Sequence, residues 1–394
     1  MRTIINGRCI VPNSDSSFCI KDNVAVIFDN KIKSIVPTDS IDVNHFDEVI
    51  DACGQYVSPG FINIHIHGCA GFDTMDENDN ALYQMRHFLP STGVTSFLPT
   101  TMTMPLNQIY NSLNKIRSAM NDTLNDSVLA KVLGANVEGP YISSKFKGAQ
   151  AEDNIRRANF DEIAEFADVI KIITIAPEEL GDTNFIKNCH KNNIIVSIGH
   201  SAADYDTAIE TINNDDVKHI THLFNAQTGL HHRKPGIVGA ALDTDAFVEL
   251  IADNLHVHPA AQRLVYKVKK RSEIILITDS LRACGMGDGI YDLGGQKVYV
   301  KDNVATLEDG TIAASIAPMN KVVANFKNNT NISMAELVEL VTKNPAIELG
   351  LYNKIGSLET GKVADIIIFD EGVNITTAII NGIITKSVSQ VHLK

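Results

Sequence analysis

Apolar, β-rich runs recur about every thirty residues through the middle of the chain, the repeat length of a strand plus a returning helix. They cover Phe61 to Ile66, Val94 to Leu98, Val132 to Val137, Ile170 to Ile175, Ile194 to Ile198, His219 to Thr221, Phe247 to Ala252 and Ile274 to Thr278. Helical spacing of apolar residues lies between several of them, over Asn107 to Met120, Asp161 to Ala167, Ala203 to Ile212 and Pro259 to Lys270. Ser333 and Glu336 then form the capping-box pattern that opens a late helix. Eight strands alternating with helices predict an α/β fold, a TIM-like (β/α)8 barrel, whose functional residues gather where the strands end.

The ends of the chain carry a different pattern. Thr3 to Val11, Val24 to Phe28, Lys31 to Val36 and Val49 to Asp51 alternate with turns, as do Lys362 to Asp370, Thr376 to Ile380 and Gly382 to Lys386. Neither set can bury a core by itself, which predicts a small β-sandwich with one layer from each end. The expected division is 1–55 with 355–394 for the sandwich and 56–354 for the barrel.

Composition narrows the function. The 394 residues, 44% hydrophobic, suffice for a large core, and no run approaches the length of a membrane span. With 47 acidic against 34 basic residues the net charge is −13, and no basic block is present to follow a phosphate backbone, so neither nucleic acid nor membrane is an expected partner. Six scattered cysteines without a Cys-x-x-Cys pattern fit reduced thiols and a cytoplasmic protein.

Candidate chemistry sits at the strand ends. His65 and His67 close the first run, and their alternation puts both imidazoles on one face. Glu138 follows the third run, His200 the fifth, His222 the sixth and Asp279 the eighth. Any one of them could simply hydrogen-bond a loop. Four histidines and two carboxylates on one rim are the ligand chemistry of a zinc-like divalent ion.

The same residues carry a resemblance. Glu138-Gly-Pro-Tyr-Ile142, Lys147-Gly-Ala-Gln150, Gly199-His-Ser201, Thr221-His-Leu-Phe-Asn-Ala226, Arg233-Lys-Pro-Gly236, Ala252-Asp-Asn-Leu-His256, Thr278-Asp279 and Asp309-Gly-Thr-Ile-Ala313 together resemble the N-acetylglucosamine-6-phosphate deacetylase family of the amidohydrolase superfamily. The resemblance spans essentially the whole chain. It implies a metal-dependent hydrolase that removes the acetyl group from N-acetylglucosamine 6-phosphate in amino sugar catabolism, giving glucosamine 6-phosphate and acetate. A primary metal would be held by Glu138, His200 and His222, with Asp279 as the general base that later returns a proton to the leaving amine. His65 and His67, with Glu138 as the bridge, would form a second position. The ligands suit zinc first, with Fe, Co, Mn, Ni or Cd as further candidates, and one or two ions per subunit.

The modified lysine that bridges two ions in related amidohydrolases has no counterpart, because the fourth strand ends Thr174-Ile-Ala-Pro-Glu178 and Lys171 comes too early. Substrate contacts implied by the resemblance are Ala149, Gln150, Asn225, Ala226, Arg233, His256, Ile312, Ala313 and Ala314. Arg233 is the phosphate candidate, reaching across from a partner in a homodimer or a dimer of dimers. Gln150 stands where some relatives have histidine, a departure that touches sugar recognition. Alternatives are the galactosamine epimer, a cyclic amide, or a catalytically dead scaffold.

Overall fold

A computed structural model of the chain describes residues 1–122, 128–182, 184–387 and 391–393. Eight parallel strands form the barrel: β1 (Phe61–Ile66), β2 (Val94–Thr101), β3 (Ala135–Glu138), β4 (Ile170–Ile175), β5 (Ile195–Ile198), β6 (His219–Ile220), β7 (Phe247–Ile251) and β8 (Ile274–Ile277). Each pairs with the next in chain order. The ring is drawn shut beyond β8, where the Asp279 N–H donates to the His65 carbonyl at 3.0 Å. These strands are buried on both faces, inward against side chains such as Ile62, Ile64, Ile172 and Ile275 and outward against helices, which is why they read as continuous apolar runs.

Helices return the chain after seven of the strands, among them Ala81–Phe88, Leu106–Met120, Phe185–Lys191, Tyr205–Asn214, Gly236–Asp243, Pro259–Val268 and Met319–Thr330. The helix expected over Asp161 to Ala167 is absent. Two 3-10 turns, Phe160–Glu162 and Ala164–Phe166, stand there, separated by Ile163 at φ −117°. Seven residues are too few to offset helix nucleation. Here the Tyr141 hydroxyl also ties down Glu162 at 3.0 Å. The capping box at Ser333 and Glu336 forms as expected, opening Met334–Glu339.

The terminal strands build one continuous nine-stranded sheet. Arg2–Pro12 pairs along one edge first with Glu48–Asp51 and then with Tyr56–Pro59, and its register with Phe18–Phe28 breaks at Gly7. The break lets the sheet divide into two arms around Ile4, Val26, Phe28, Val57, Ile366 and Ile379. The C-terminal strands are therefore joined edge to edge to the N-terminal ones, through Ile366–Phe369 beside Tyr56–Pro59. The sandwich expected from two separate layers differs in this respect. A buried, fully apolar strand such as Ile366–Phe369 gains most when both edges are also hydrogen-bonded. The expected C-terminal segment includes residues 388–390 and 394, which lie outside the described residues.

A three-stranded antiparallel insertion, Gly289–Leu293, Gln296–Lys301 and Val304–Thr306, follows β8. Its Leu293 and Val298 pack with Met102 and Leu281 over the mouth of the barrel.

Candidate metal centre and substrate cavity

The six rim residues expected from the strand ends converge. His222 Nε2 lies 2.9 Å and His200 Nε2 3.2 Å from Glu138 Oε1, and the two ring nitrogens are 3.0 Å apart. His67 Nε2 lies 3.1 Å from Glu138 Oε2 and 3.2 Å from Asp279 Oδ1. His65 Nε2 is 3.4 Å from both Glu138 Oε1 and Asp279 Oδ1. All six are buried.

Local backbone geometry throws these side chains inward. His200, His222 and Asp279, each just past a strand end, have φ of 46°, 28° and 48°, a region that non-glycine residues avoid at a cost of about 1–3 kcal/mol each. Neighbouring groups hold them there. The Ser143 N–H donates to the His200 carbonyl at 2.8 Å, the His222 N–H donates to Glu249 Oε2 at 3.1 Å, and the Ser315 N–H donates to the Asp279 carbonyl at 2.8 Å. Gly199 is required beside His200, because a Cβ there would come within 2.7 Å of Thr221 Cβ.

The donor set fits a cation. Nδ1 of His65 faces Glu249 at 2.9 Å, Nδ1 of His67 the Thr100 carbonyl at 3.3 Å, and Nδ1 of His200 the Phe146 carbonyl at 2.9 Å. Acceptors at Nδ1 place the proton there and turn the Nε2 lone pairs inward. His65 Nε2 is buried with no hydrogen-bond partner. Two ring nitrogens at 3.0 Å sharing one carboxylate oxygen is an arrangement that a common positive charge stabilises. Two overlapping ligand groups result, Glu138 with His200 and His222, and Glu138 with His65 and His67.

Electrostatics agree. Burial alone would raise the Glu138 carboxyl, yet His65, His200 and His222 hold it well below the usual range. Burial likewise opposes ionisation of Asp279, but His65 and His67 keep its carboxyl low. Burial would push the imidazoles down, and the surrounding carboxylates instead lift His67 to about 10 and His65 well above its ordinary value. Excess negative charge thus draws positive charge into the site, as protons where no cation is bound.

A cavity of about 330 Å³ opens onto this cluster. Ala149, Gln150, Asn225, Ala226, His256, Ile312 and Ala314 line it, with His67, Glu138, His200, His222 and Asp279 at its floor. Gln150 Nε2 donates to Glu138 Oε2 at 2.7 Å, and its Oε1 accepts the Thr103 N–H at 2.7 Å. His256 Nδ1 meets Asp253 Oδ2 at 2.7 Å. Although burial works against the charged ring, Asp253 raises the pKa of His256.

Two expected contacts lie elsewhere. Ala313 is buried behind the wall, its N–H bonded to the Ala305 carbonyl. Arg233 is exposed on a separate cleft with Asp204 and Tyr205, donating to His232 Nε2 at 2.6 Å. Met102, Leu293 and Thr311 also line the cavity, and Glu249 and His219 lie beneath it; sequence reading passed over all five. Glu249 carried a signal, as the one charged residue inside the apolar run Phe247–Ile251.

The chain matches the model of the amidohydrolase family over residues 56–385. It is 38% identical over 380 residues to N-acetylglucosamine-6-phosphate deacetylase of Bacillus subtilis (strain 168), covering 94% of this chain and 96% of that protein. Over 339 residues it is 34% identical to N-acetylgalactosamine-6-phosphate deacetylase of Escherichia coli O157:H7, covering 85% and 89%. The crystal structure of N-acetylglucosamine-6-phosphate deacetylase from Pasteurella multocida superposes with a TM-score of 0.91 at 29% identity, covering 98% of this chain and 100% of that one. The counterpart from Thermotoga maritima gives 0.85 at 34% identity, covering 98% and 99%.

Proposed function

The chain belongs to the amidohydrolase family, and on that footing we propose that it hydrolyses the acetamide of N-acetylglucosamine 6-phosphate to glucosamine 6-phosphate and acetate. The observation that carries this reading is the meeting of Glu138, His200, His222 and Asp279 at the floor of one cavity. Glu138, His200 and His222 would hold a divalent ion, with zinc the best match to two imidazoles and a carboxylate, and His65 and His67 would share Glu138 in a second position. When bound, such an ion supplies a more acidic water and polarises the acetyl carbonyl.

The chain's own groups do the rest. Asp279 is ionised and faces the cavity, so it takes the proton that water loses on attacking the carbonyl carbon. It then gives a proton to the sugar nitrogen, which leaves as an amine only once protonated. Asp253, anchoring Nδ1 of His256, raises its pKa and so favours the protonated ring, which would present Nε2–H to an oxygen of the acetyl group or sugar. Asn225, Ala226, Ile312 and Ala314 shape the walls around the sugar. Arg233 binds the phosphate from the neighbouring subunit of a homodimer, which accounts for its position outside the cavity of its own chain. Reduced cysteines and the acidic charge fit a cytoplasmic enzyme of amino sugar catabolism. Among the described residues no helix is long and apolar enough to cross a membrane.

The relative from Escherichia coli O157:H7 gives one observation in favour of the galactosamine epimer. Acetate release from both sugar phosphates by the zinc-loaded protein tests the choice. Preferred turnover of the glucosamine epimer is expected. Turnover of the galactosamine epimer alone, or of a cyclic amide with neither sugar phosphate, would overturn it.

A further inference from the structure

Beneath the floor of the site runs a row of buried charge that the proposed reaction does not use. Glu249, at the centre of β7, is fully buried. Its Oε2 accepts from His65 Nδ1 at 2.9 Å and from the His222 N–H at 3.1 Å. Its Oε1 lies 3.2 Å from His219 Nε2, and His219 Nδ1 lies 3.0 Å from Glu348 Oε1. His219 is fully buried between two groups that can only accept, so both of its ring nitrogens carry protons. Burial opposes that charge, but Glu249 and Glu348 lift its pKa to about 9.

The row therefore has a direction. A carboxylate at position 249 can only accept, which makes Nδ1 of His65 the donor. Nε2, the buried atom without a hydrogen-bond partner that points toward Glu138 and Asp279, is then the atom whose lone pair a cation would take in place of a proton. A side chain unable to accept there would free the ring to take the opposite tautomer, with a proton aimed at the place a cation would occupy.

We propose that Glu249, backed by His219, is a positioning residue that fixes the His65 tautomer and thereby sets the cation affinity of the His65–His67–Glu138 position. This rests on the reading that the group holds an ion. Replacing an outer partner of a metal-bound histidine typically weakens binding by about ten- to hundredfold.

The test compares wild type with Glu249→Met, Glu249→Gln and His65→Ala, each stripped of metal and titrated with zinc in competition with a chelator. His65→Ala should lose one zinc equivalent. Glu249→Met should weaken that same equivalent about ten- to hundredfold and weaken the other by distinctly less, since His222 loses only an acceptor for its backbone N–H. Glu249→Gln should largely restore it, because the amide oxygen still accepts from His65, while His219, no longer facing a carboxylate at Nε2, gives up that proton and accepts from the NH2. Two outcomes overturn the inference with the ion reading intact: Glu249→Met binding both equivalents as wild type does, or weakening both equally along with the melting temperature. Wild-type zinc uptake by His65→Ala removes the ion reading itself, and the inference with it. Should Glu249→Met fail to fold, nitrogen NMR of zinc-loaded wild type labelled in histidine decides: a proton on His65 Nδ1 is expected, and one on Nε2 overturns the inference.

Discussion

Replacing Asp279 with asparagine separates holding a metal from moving a proton. Asp279 belongs to neither of the two ligand groups, yet its Oδ1 stands 3.2 Å from His67 Nε2 and 3.4 Å from His65 Nε2, facing the same cavity. Asparagine preserves the shape and the hydrogen bonds of the backbone that closes the barrel between β8 and β1. It cannot accept a proton from water or deliver one to the amine. Loss of a positioned acid–base group lowers rate by about 10²- to 10⁴-fold, equivalent to about 3–5 kcal/mol of barrier. The Glu138–His200–His222 group is unaltered by the change, so zinc bound there should stay within a few-fold of wild type, and KM should move less than kcat. Acetate release in the steady state, read beside zinc content and a thermal melt of the same preparation, gives all three quantities. A variant that keeps near wild-type kcat, or that loses zinc from the Glu138–His200–His222 position in proportion to activity, would refute the assignment of proton transfer to Asp279.

Arg233→Ala should raise KM for the phosphorylated sugar by about ten- to hundredfold, the worth of a charge-assisted contact, while leaving turnover of unphosphorylated N-acetylglucosamine unchanged. Equal effects on both substrates would rule out a phosphate role. Gln150→Leu removes a donor to Glu138 and leaves the buried Thr103 N–H unpaired, each loss destabilising by about 1–3 kcal/mol. Urea denaturation should show it as a lower midpoint at unchanged slope, and an unaltered midpoint would contradict the two bonds. Asp253 raises His256, so the pair contributes stability in full below the ordinary histidine pKa, and the contribution fades as pH rises through the raised value. Asp253→Asn should accordingly move the alkaline limb of the pH–rate profile to lower pH, and a profile that does not move would mean the His256 charge has no part in catalysis.

All eight barrel strands could be read from the chain because strands buried on both faces leave continuous apolar runs, and their ends name the rim. What escaped reading lacked that signature. Gly289–Leu293 is largely exposed and so carries little of the apolar pattern of a core strand, although Leu293 reaches into the cavity. The segment over Asp161 to Ala167 has the spacing of a helix and too few residues to nucleate one, so local hydrogen bonds from Asn159 and Tyr141 decided its form. The terminal strands showed their apolar faces to the eye but not their edges. Pairing of Ile366–Phe369 with Tyr56–Pro59 is a long-range choice that alternation alone does not specify.

The site divides along the same line. Glu138, His200, His222, His65, His67 and Asp279 stand at strand ends, where the parallel arrangement brings together residues far apart in the chain. Glu249 lies inside β7 and His219 opens β6, away from the rim, where a buried polar residue is easily passed over. Yet an ionisable group in a wholly buried strand is tolerated only with a partner, so the Glu in Phe247–Ile251 already required a donor on the barrel axis. The donors that meet it are His219, which opens the neighbouring β6, and His65, near the end of β1. Buried polar residues within barrel strands therefore carry information of a second kind: strand ends name the groups that converge at the cavity, and interruptions within strands name the buried groups hydrogen-bonded behind them.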